Sequence, residues 1–471
     1  MSDTAAPIGL FDRAMRRLTG VWRDMASTVA TPEGDSLADQ MRACLHARGG
    51  EISARNRAAK LAQTYLGLDD AGRRGFLLDL AGFDSDPGEV ERAYAAVREA
   101  AGPAERATAK VALRRALEPP RVRLLTQFTT IPDGMKFLVD LRATLLALKG
   151  MDPWMAALES DLRNLLASWF DVGFLELQRI DWHSPALLLE RLVGYEAVHE
   201  IRSWSDLKNR LDSDRRCYAL FHHRMPNEPL IFVEVALVRG LAGSVQGLLD
   251  KRAPLLDPKE ADTAIFYSIS NCQKGLAGIS FGNFLIKRVV EVLGNEFRGL
   301  KAFATLSPMP GFRRWLDGKL GENDPKLLTE EEAAVLRTTA SPTGAATDTL
   351  AKTGNQALAV ILARRGWFRD PIVARMVEPV LIRLAARYLL GESRGNRAID
   401  PVAHFHLSNG ARVERIMGCA DTSEKGAKES ATLMVNYLYD PAKIEDYHED
   451  YAGEGKRNAS TVVRKLARGW A

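Results

Sequence analysis

Along the first third of the chain, apolar residues recur three and four positions apart, the spacing of helices that bury one face. Such patterns occupy residues 37–47, 53–66, 70–80, 89–101 and 103–117. Asp70 and Ser53 are candidate N-caps, Pro87 and Pro103 stand near helix starts, and Gly49, Gly67 and Gly102 near helix ends. Ahead of them, residues 10–26 set Phe11, Met15, Leu18, Trp22 and Met25 on one helical face, with Arg13, Arg16, Arg17 and Arg23 elsewhere. Asp12 and Asp24 interrupt that basic surface, so docking within the protein or on another subunit is expected rather than a membrane role. Helical patterns at 135–149, 156–169 and 187–192 extend a helical domain over residues 1–190, suited to packing and assembly.

Near Tyr195 the period changes. Short β-prone runs occur at 217–221, 229–238, 263–269 and 302–306, the first two separated by a turn at 224–228. Between the last two lies a turn punctuated by Gly275, Gly278 and Gly282, then a helical pattern through Phe284, Leu285, Val289 and Leu293. A strand, small-residue loop and helix in this order expose backbone N–H groups and the positive end of a helix dipole, which suits a nucleotide pyrophosphate. Ser307, Pro308 and Pro310 stop the strand. Helical text resumes over residues 322–396, with a Thr/Ser/Gly-rich break at 338–349, and strand character returns at 402–407 and 433–439. A basic helix is expected near 461–470. The architecture predicted is α+β: a helical domain over 1–190, then a mixed α/β domain over 191–471 with a helical insertion at about 322–396.

Composition narrows the function. Lys and Arg number 64 against 60 Asp and Glu, a net charge of +4, which argues against the concentrated positive field of a nucleic-acid binder. Cys44, Cys217, Cys272 and Cys419 are far apart with no CxxC pair, which disfavours zinc ribbons and disulfide frameworks and fits a reducing, intracellular setting. No apolar run is long enough to span a bilayer, so no stable membrane insertion is expected. The C-terminal residues Arg468 to Ala471 carry no SKL-type address, and a cytoplasmic protein is predicted.

Several uncommon strings, in order, resemble malonyl-CoA decarboxylases: YEAVHEIRSWSDLKNR (195–210), RRCYALFHH (215–223), FYSISNCQKGLAGISFGNFLIKRVV (266–290), LSPMPGFRRWL (306–316), HFHLSNGA (404–411) and LMVNYLY (433–439). The resemblance covers about a third of the chain. It implies an N-terminal helical domain, a C-terminal domain like the GNAT-type acetyltransferases, and conversion of malonyl-CoA to acetyl-CoA and carbon dioxide with no metal or organic cofactor. It also implies a self-associating protein, a dimer or tetramer. By the same resemblance Ser307 contacts the malonyl carboxylate or nascent enolate, and His406 donates a proton to C2, directly or through Ser307. The CoA loop falls on Ala277, Gly278, Ile279, Ser280, Phe281, Gly282 and Asn283. Aligned on Gly282, the acetyltransferase signature Q/R-x-x-G-x-G/A meets Ser280 and Ala277 in its other two positions, a departure from the pattern. Lys287, Arg288, Arg313 and Arg314 are candidate phosphate partners, and Asn436, Tyr437 and Tyr439 candidate pocket residues.

Other readings compete. Ser307 stands where it could cap the helix after Pro308. His404 and His406 would share a face if their segment is a strand, an arrangement open to metal, although no third ligand string accompanies them. Gly278 to Gly282 spells G-x-S-x-G, followed by Asp400 and His406 in α/β-hydrolase order, which makes a thioesterase with Ser280 as nucleophile the main rival enzyme. Against it, the strand is expected to end near Ser270, well before Ser280. An acyl-CoA N-acyltransferase and a non-catalytic CoA-sensing scaffold are the remaining alternatives.

Overall fold

The computed structural model describes residues 22–25, 36–45, 50–279, 281–340 and 351–468. They form two compact units. The first takes the described residues up to Glu176 together with Phe221–Leu230 and Asn271–Phe281; the second takes Leu177–Leu220, Ile231–Ser270 and the described residues from Gly282 onward.

The first unit is helical: α1 (Leu37–Leu45), α2 (Gly50–Gly67), α3 (Asp70–Ala81), α4 (Pro87–Glu99), α5 (Pro103–Leu117), α6 (Pro120–Phe128), α7 (Gly134–Ala147) and α8 (Pro153–Trp169). Prolines at the first position of four of these helices cost nothing, because the N–H they lack would be unpaired there. Two expected caps are corrected. Asp69, not Asp70, caps α3 by accepting the Gly72 amide at 2.8 Å, and Ser53 lies inside α2. Helix α6 was not anticipated, since nine residues between prolines and a polar turn display too little of the 3.6-residue period. The core gathers on Phe137 of α7, whose ring meets Trp22, Tyr65 and Phe128 at centroid distances of 5.6, 5.6 and 4.9 Å. Trp22 is fully buried and donates to the Pro132 carbonyl, so its segment docks within this unit; residues 10–21 and 26 lie outside the described residues.

The second unit holds β1 (Leu175–Ile180, its first two residues belonging to the first unit), α9 (Ala186–Tyr195), α10 (Trp204–Arg210), β2 (Arg215–His222, its last two residues belonging to the first unit), β3 (Ile231–Val238), α11 (Val245–Leu248) and β4 (Thr263–Asn271, its last residue belonging to the first unit). There follow α12 (Gly282–Glu296), β5 (Ala302–Thr305), β6 (Ser307–Pro308), α13 (Phe312–Gly321), α14 (Glu330–Ala340), α15 (Gly354–Ala363) and α16 (Pro371–Leu390). A two-stranded ribbon, β7 (Ser393–Arg394) and β8 (Arg397–Ala398), precedes α17 (Pro401–Ser408), β9 (Arg412–Met417), α18 (Glu424–Ser430), β10 (Met434–Tyr439), α19 (Ile444–Glu454) and α20 (Thr461–Ala467). The expected break at 338–349 lies outside the described residues from 341 onward, as do residues 469–471. No described helix is long and apolar enough to cross a membrane.

The sheet order is β1-β2-β3-β4-β5-β10-β6, with β9 also on β10. Strands β4 and β5 are parallel and joined through α12, whereas β10 is antiparallel to β5, β6 and β9. Nearly every residue of β2 and β3 is buried, which explains their continuous apolar text rather than an alternating one. Ala236, Ile265, Tyr267, Ala304 and Met434 from neighbouring strands, with Leu306 between β5 and β6, pack on Val245 and Leu248 of α11.

One expected strand is a helix. Residues 402–407 lie in α17, because Asp400 accepts the Val402 and Ala403 amides at 2.9 and 3.0 Å and Pro401 presets the first helical turn. The run VAHFHL is short enough to satisfy either period, and the Asp-Pro pair ahead of it was the informative signal. Strands β1 and β9 also went unpredicted, their charged residues at Glu176, Arg179, Arg412, Glu414 and Arg415 hiding the strand pattern.

After α17 the chain turns at Gly410, whose φ of +79° is left-handed and whose Cβ, if present, would lie 2.0 Å from the Ile444 carbonyl oxygen. Gly410→Ala is expected to lower unfolding free energy by about 2–4 kcal/mol through backbone strain and displacement of α19, seen as a lower urea midpoint.

Candidate active site

Ser307 and His406, 99 residues apart, are brought together in the second unit with Ser307 Oγ 3.0 Å from His406 Nε2. Strand β10 makes this possible. It pairs with β5 through Leu438 and Tyr439 and with β6 through Met434 and Val435, spanning the break at Leu306. Opposite that break its register against β9 shifts between Asn436 and Tyr437, a local irregularity of the kind that re-aims side chains. Asn436 Nδ2 donates to the Thr305 carbonyl at 2.7 Å, and the Tyr437 amide donates to Thr305 Oγ1 at 3.1 Å. The interruption is thus closed by hydrogen bonds other than ladder bonds.

Ser307 donates to Thr305 Oγ1 at 2.9 Å, so its oxygen is free to accept from His406 Nε2–H. Nδ1 is then the unprotonated nitrogen and accepts from the Tyr439 hydroxyl at 2.8 Å. Thr305, Ser307, His406 and Tyr439 form one continuous hydrogen-bonded row, and all four are buried. Burial pushes the His406 imidazole down to about 3 and the Tyr439 phenol well above its usual value, so both are neutral near pH 7. The Tyr437 ring stacks on the imidazole at 4.6 Å, closing one face of it.

Asp400 holds the row in register. Besides capping α17, its carboxylate accepts from Tyr388 Oη at 3.2 Å and the Gly311 amide at 3.4 Å. Ser430 Oγ accepts the Met309 amide at 3.0 Å. The strap following Ser307 and the helix carrying His406 are therefore tied to common anchors. A Cβ on Gly311 would lie 2.3 Å from Tyr388 Oη, which is why glycine stands in Pro-Gly-Phe.

The competing readings of these residues meet specific geometry. Gly311, not Ser307, occupies the N-cap of α13. His404 and His406 on a helix are rotated about 200° apart and cannot share a face; His404 Nδ1 instead pairs with Tyr451 Oη at 2.8 Å. Asp400 makes no bond to His406, whose ring nitrogens face Ser307 and Tyr439, so the acid–base half of a hydrolase triad is not assembled. Ser280 itself lies outside the described residues.

The loop residues divide differently. Ala277, Gly278, Ile279 and Phe281 fall in the first unit, whereas Gly282 and Asn283 open α12 in the second. The amides of Ala277 and Ile279 donate to the Lys274 and Leu276 carbonyls, and Gly278 adopts φ +77°. Of the four candidate phosphate cations, three are engaged: Lys287 with Glu445, Arg288 with Glu291, and Arg313 with Asp317. Asn436 is occupied by backbone carbonyls and by Arg415, at 3.1 Å from its Oδ1. Thr305 and Asp400 had not been singled out for these roles. Thr305 was legible as the same-face neighbour two residues before Ser307, and Asp400 as an acid directly before proline.

The malonyl-CoA decarboxylase C-terminal domain model matches residues 173–470, and the N-terminal domain model of the same enzyme matches residues 83–170. The chain belongs to the malonyl-CoA decarboxylase family. It is 37% identical to the mitochondrial malonyl-CoA decarboxylase of Mus musculus over 436 residues, covering 88% of this chain and 85% of that protein. The malonyl-CoA decarboxylase structure from Agrobacterium vitis superposes with a TM-score of 0.80 at 40% identity, covering 92% of this chain and 99% of that one. That from Rhodopseudomonas palustris gives 0.80 and 40% as well, over 92% and 100%. The decarboxylase is accordingly a carboxy-lyase, with a helical N-terminal region followed by a domain built on a mixed sheet.

The buried imidazole ties this decarboxylase's stability to acid. Its folded pKa of about 3 lies below the unfolded value of 6.5, so between them the unfolded chain binds the extra proton. The contribution is fully present above pH 6.5 and is lost as pH falls toward 3, with a slope of about 1.4 kcal/mol per pH unit. In His406→Gln the dependence of unfolding free energy on pH between 6 and 4 is expected to be shallower by about that amount, measured by urea titrations at several pH values.

Proposed function

We propose that this enzyme decarboxylates malonyl-CoA through a thioester enolate handled by Ser307 and His406, without a metal or organic cofactor. The observation that carries the reading is a serine hydroxyl and a buried, neutral histidine in direct contact, with the second ring nitrogen held by Tyr439. When the bond from C2 to the carboxylate breaks, its electrons pass into the C1–C2 bond and onto the thioester oxygen, and carbon dioxide leaves. A proton must then be placed on C2. Ser307 Oγ and His406 Nε2 are the donors suited to that charge and to that carbon.

The depressed pKa of His406 sets how the proton arrives. Burial alone keeps the ring neutral, but a malonyl carboxylate entering the same low-dielectric site favours the charged ring. Substrate binding then takes up a proton on Nδ1, with Tyr439 Oη turning from donor to acceptor. Nε2 passes its proton to Ser307, and Ser307 passes its own to C2 as the enolate collapses to acetyl-CoA. Loss of the Nδ1 proton with gain of one at Nε2 restores the resting tautomer. The ring returns to neutral and no buried charge remains. Tyr439, whose ionisation is strongly disfavoured by burial, holds Nδ1 and orients the ring rather than supplying the proton.

Incubating the purified chain with malonyl-CoA while following carbon dioxide, acetyl-CoA and free thiol together tests the reaction. Equal carbon dioxide and acetyl-CoA with no thiol is expected; thiol without carbon dioxide would identify hydrolysis and direct attention to Ser280. Ser307→Ala and His406→Asn should each reduce kcat by about two to three orders of magnitude while CoA affinity is retained. Full turnover in Ser307→Ala would remove that residue from the mechanism. Binding of a non-reactive malonyl-thioether analogue of the substrate should weaken as pH rises from 6 to 8, with close to one proton taken up, and His406→Asn should abolish that linkage; calorimetry in buffers of different ionisation enthalpy reads both.

A further inference from the structure

The sheet of the second unit has a cavity on the face away from Ser307. Ala304 and Leu306 pack toward α11 together with Ile265, Tyr267 and Met434, so Thr305 and Ser307, whose hydroxyls meet at 2.9 Å, turn to the opposite side. On the α11 side lies a cavity of about 820 Å³, walled by the loop between α9 and α10, by α10 and α11, and by the stretch from Asp421 to Lys425. None of Thr305, Ser307, His406 and Tyr439 lines it.

The acids of this wall are satisfied, whereas its lysines are not. Glu196 accepts from the Val198 and His199 amides at 2.7 and 2.8 Å and from Ser268 Oγ. Asp206 accepts from Arg210 Nε at 3.2 Å and the Arg202 amide at 3.1 Å, and Asp421 from Gln246 Nε2 and the Ser423 amide, both at 3.0 Å. Glu200 pairs with Arg202 at 3.5 Å, and Glu424 with Arg365. Lys251 and Lys425 have no ion pair among the described residues. Lys425 Nζ donates to the Ala197 carbonyl at 2.9 Å and Lys251 Nζ to Ser203 Oγ at 3.4 Å, which leaves each ammonium further N–H donors. In the same wall His199 Nε2 is shut off from solvent and makes no hydrogen bond among the described residues. Burial holds the His199 imidazole below its usual pKa, with Glu196 and Asp421 opposing that shift and Arg210 and Lys425 adding to it. A buried ring nitrogen without a partner is costly until a ligand or a water meets it.

The wall also leads to the reactive serine. Lys425 lies in the first turn of α18, and Ser430 ends that helix, where its Oγ accepts the amide of Met309, two residues beyond Ser307. The next residues, Ala431 and Thr432, are buried at φ of +48° and +68°, a left-handed pair that includes a β-branched side chain. Such backbone is strained and persists only where its surroundings over-determine it, as in switch segments. Here the Ala420 and Asp421 amides hold the Thr432 carbonyl at 2.9 and 3.1 Å, so the strained pair is tied directly to the cavity wall. We infer that the cavity binds a small organic oxyanion, its carboxylate or phosphate head on Lys425, Lys251 and His199 and its aliphatic body on Val245 and Leu249, and that occupancy acts on Ser307 through α18. The coupling rests on the reading of Ser307 as catalytic; the binding does not.

Calorimetric Kd values for hexanoate, hexyl phosphate and hexanol, measured on the full chain saturated with CoA, test the site. Hexanol is expected to bind about tenfold more weakly than the tighter anion; a lead for hexanoate assigns the cavity to organic acids, and a lead for hexyl phosphate to phosphate monoesters. Lys425→Gln, at an exposed position, and His199→Gln should each weaken that anion about fivefold to tenfold while CoA affinity stays unchanged. In turnover of malonyl-CoA, saturating anion is expected to change kcat by about twofold or more with KM unaltered. Lys425→Gln should match the unsubstituted chain without anion and lose the response to it. Failure of both anions to bind, equal binding of hexanol, or full affinity in both variants would overturn the site. A rise in KM alone would put the anion in the acyl-CoA site and overturn it too, and binding without any effect on kcat would overturn the coupling through α18. Should the chain bind the anion yet form no acetyl-CoA, the decarboxylase mechanism fails while the Kd values still decide the role of the cavity.

Discussion

A buried imidazole must find a partner for each ring nitrogen or lose free energy for the bond it forgoes. His406 meets that requirement with Ser307 on one side and Tyr439 on the other, and much of the second unit is arranged around that demand. Tyr439 is available because β10 runs past β5. Ser307 is available because β6 continues beyond the break at Leu306 on the same strand. The imidazole sits between them because Asp400 starts α17 at one defined residue and bonds the strap that leaves Ser307. Moving any one of these elements would leave a buried nitrogen or hydroxyl without its partner.

The same burial shapes the chemistry. A histidine in water is partly charged near neutrality, whereas burial holds this one neutral. In the proposed reaction the malonyl carboxylate that would favour a protonated ring is also the group that leaves as carbon dioxide. Under the proposed mechanism, protonation of the ring, departure of the carboxylate and protonation of C2 are coupled without a permanent charge in the core.

In the first unit a different constraint operates. Arg142 is satisfied only by the carboxylate of Glu159 and two carbonyls of a single turn, and Gly275 permits that turn to lie against α7. Helix α7, which by sequence was suited to packing and assembly, thus also fixes a turn far along the chain.

Much of the architecture was legible from the residues alone. Period 3.6 marked most of the helices, apolar β-branched runs marked β2 to β5 and β10, and the strings around Ser307 and His406 carried the family resemblance. These signals are local, set by side-chain spacing within one element. Tertiary structure decided what spacing could not express. It made 402–407 a helix, because an Asp-Pro cap outweighs six residues of ambiguous period. It gave Ser307, Asp400 and Tyr439 their partners, because bonds between residues 12 to 99 positions apart leave no mark in a local pattern. And it separated engaged from unengaged arginines, because which guanidinium finds a carboxylate depends on neighbours that only folding brings near.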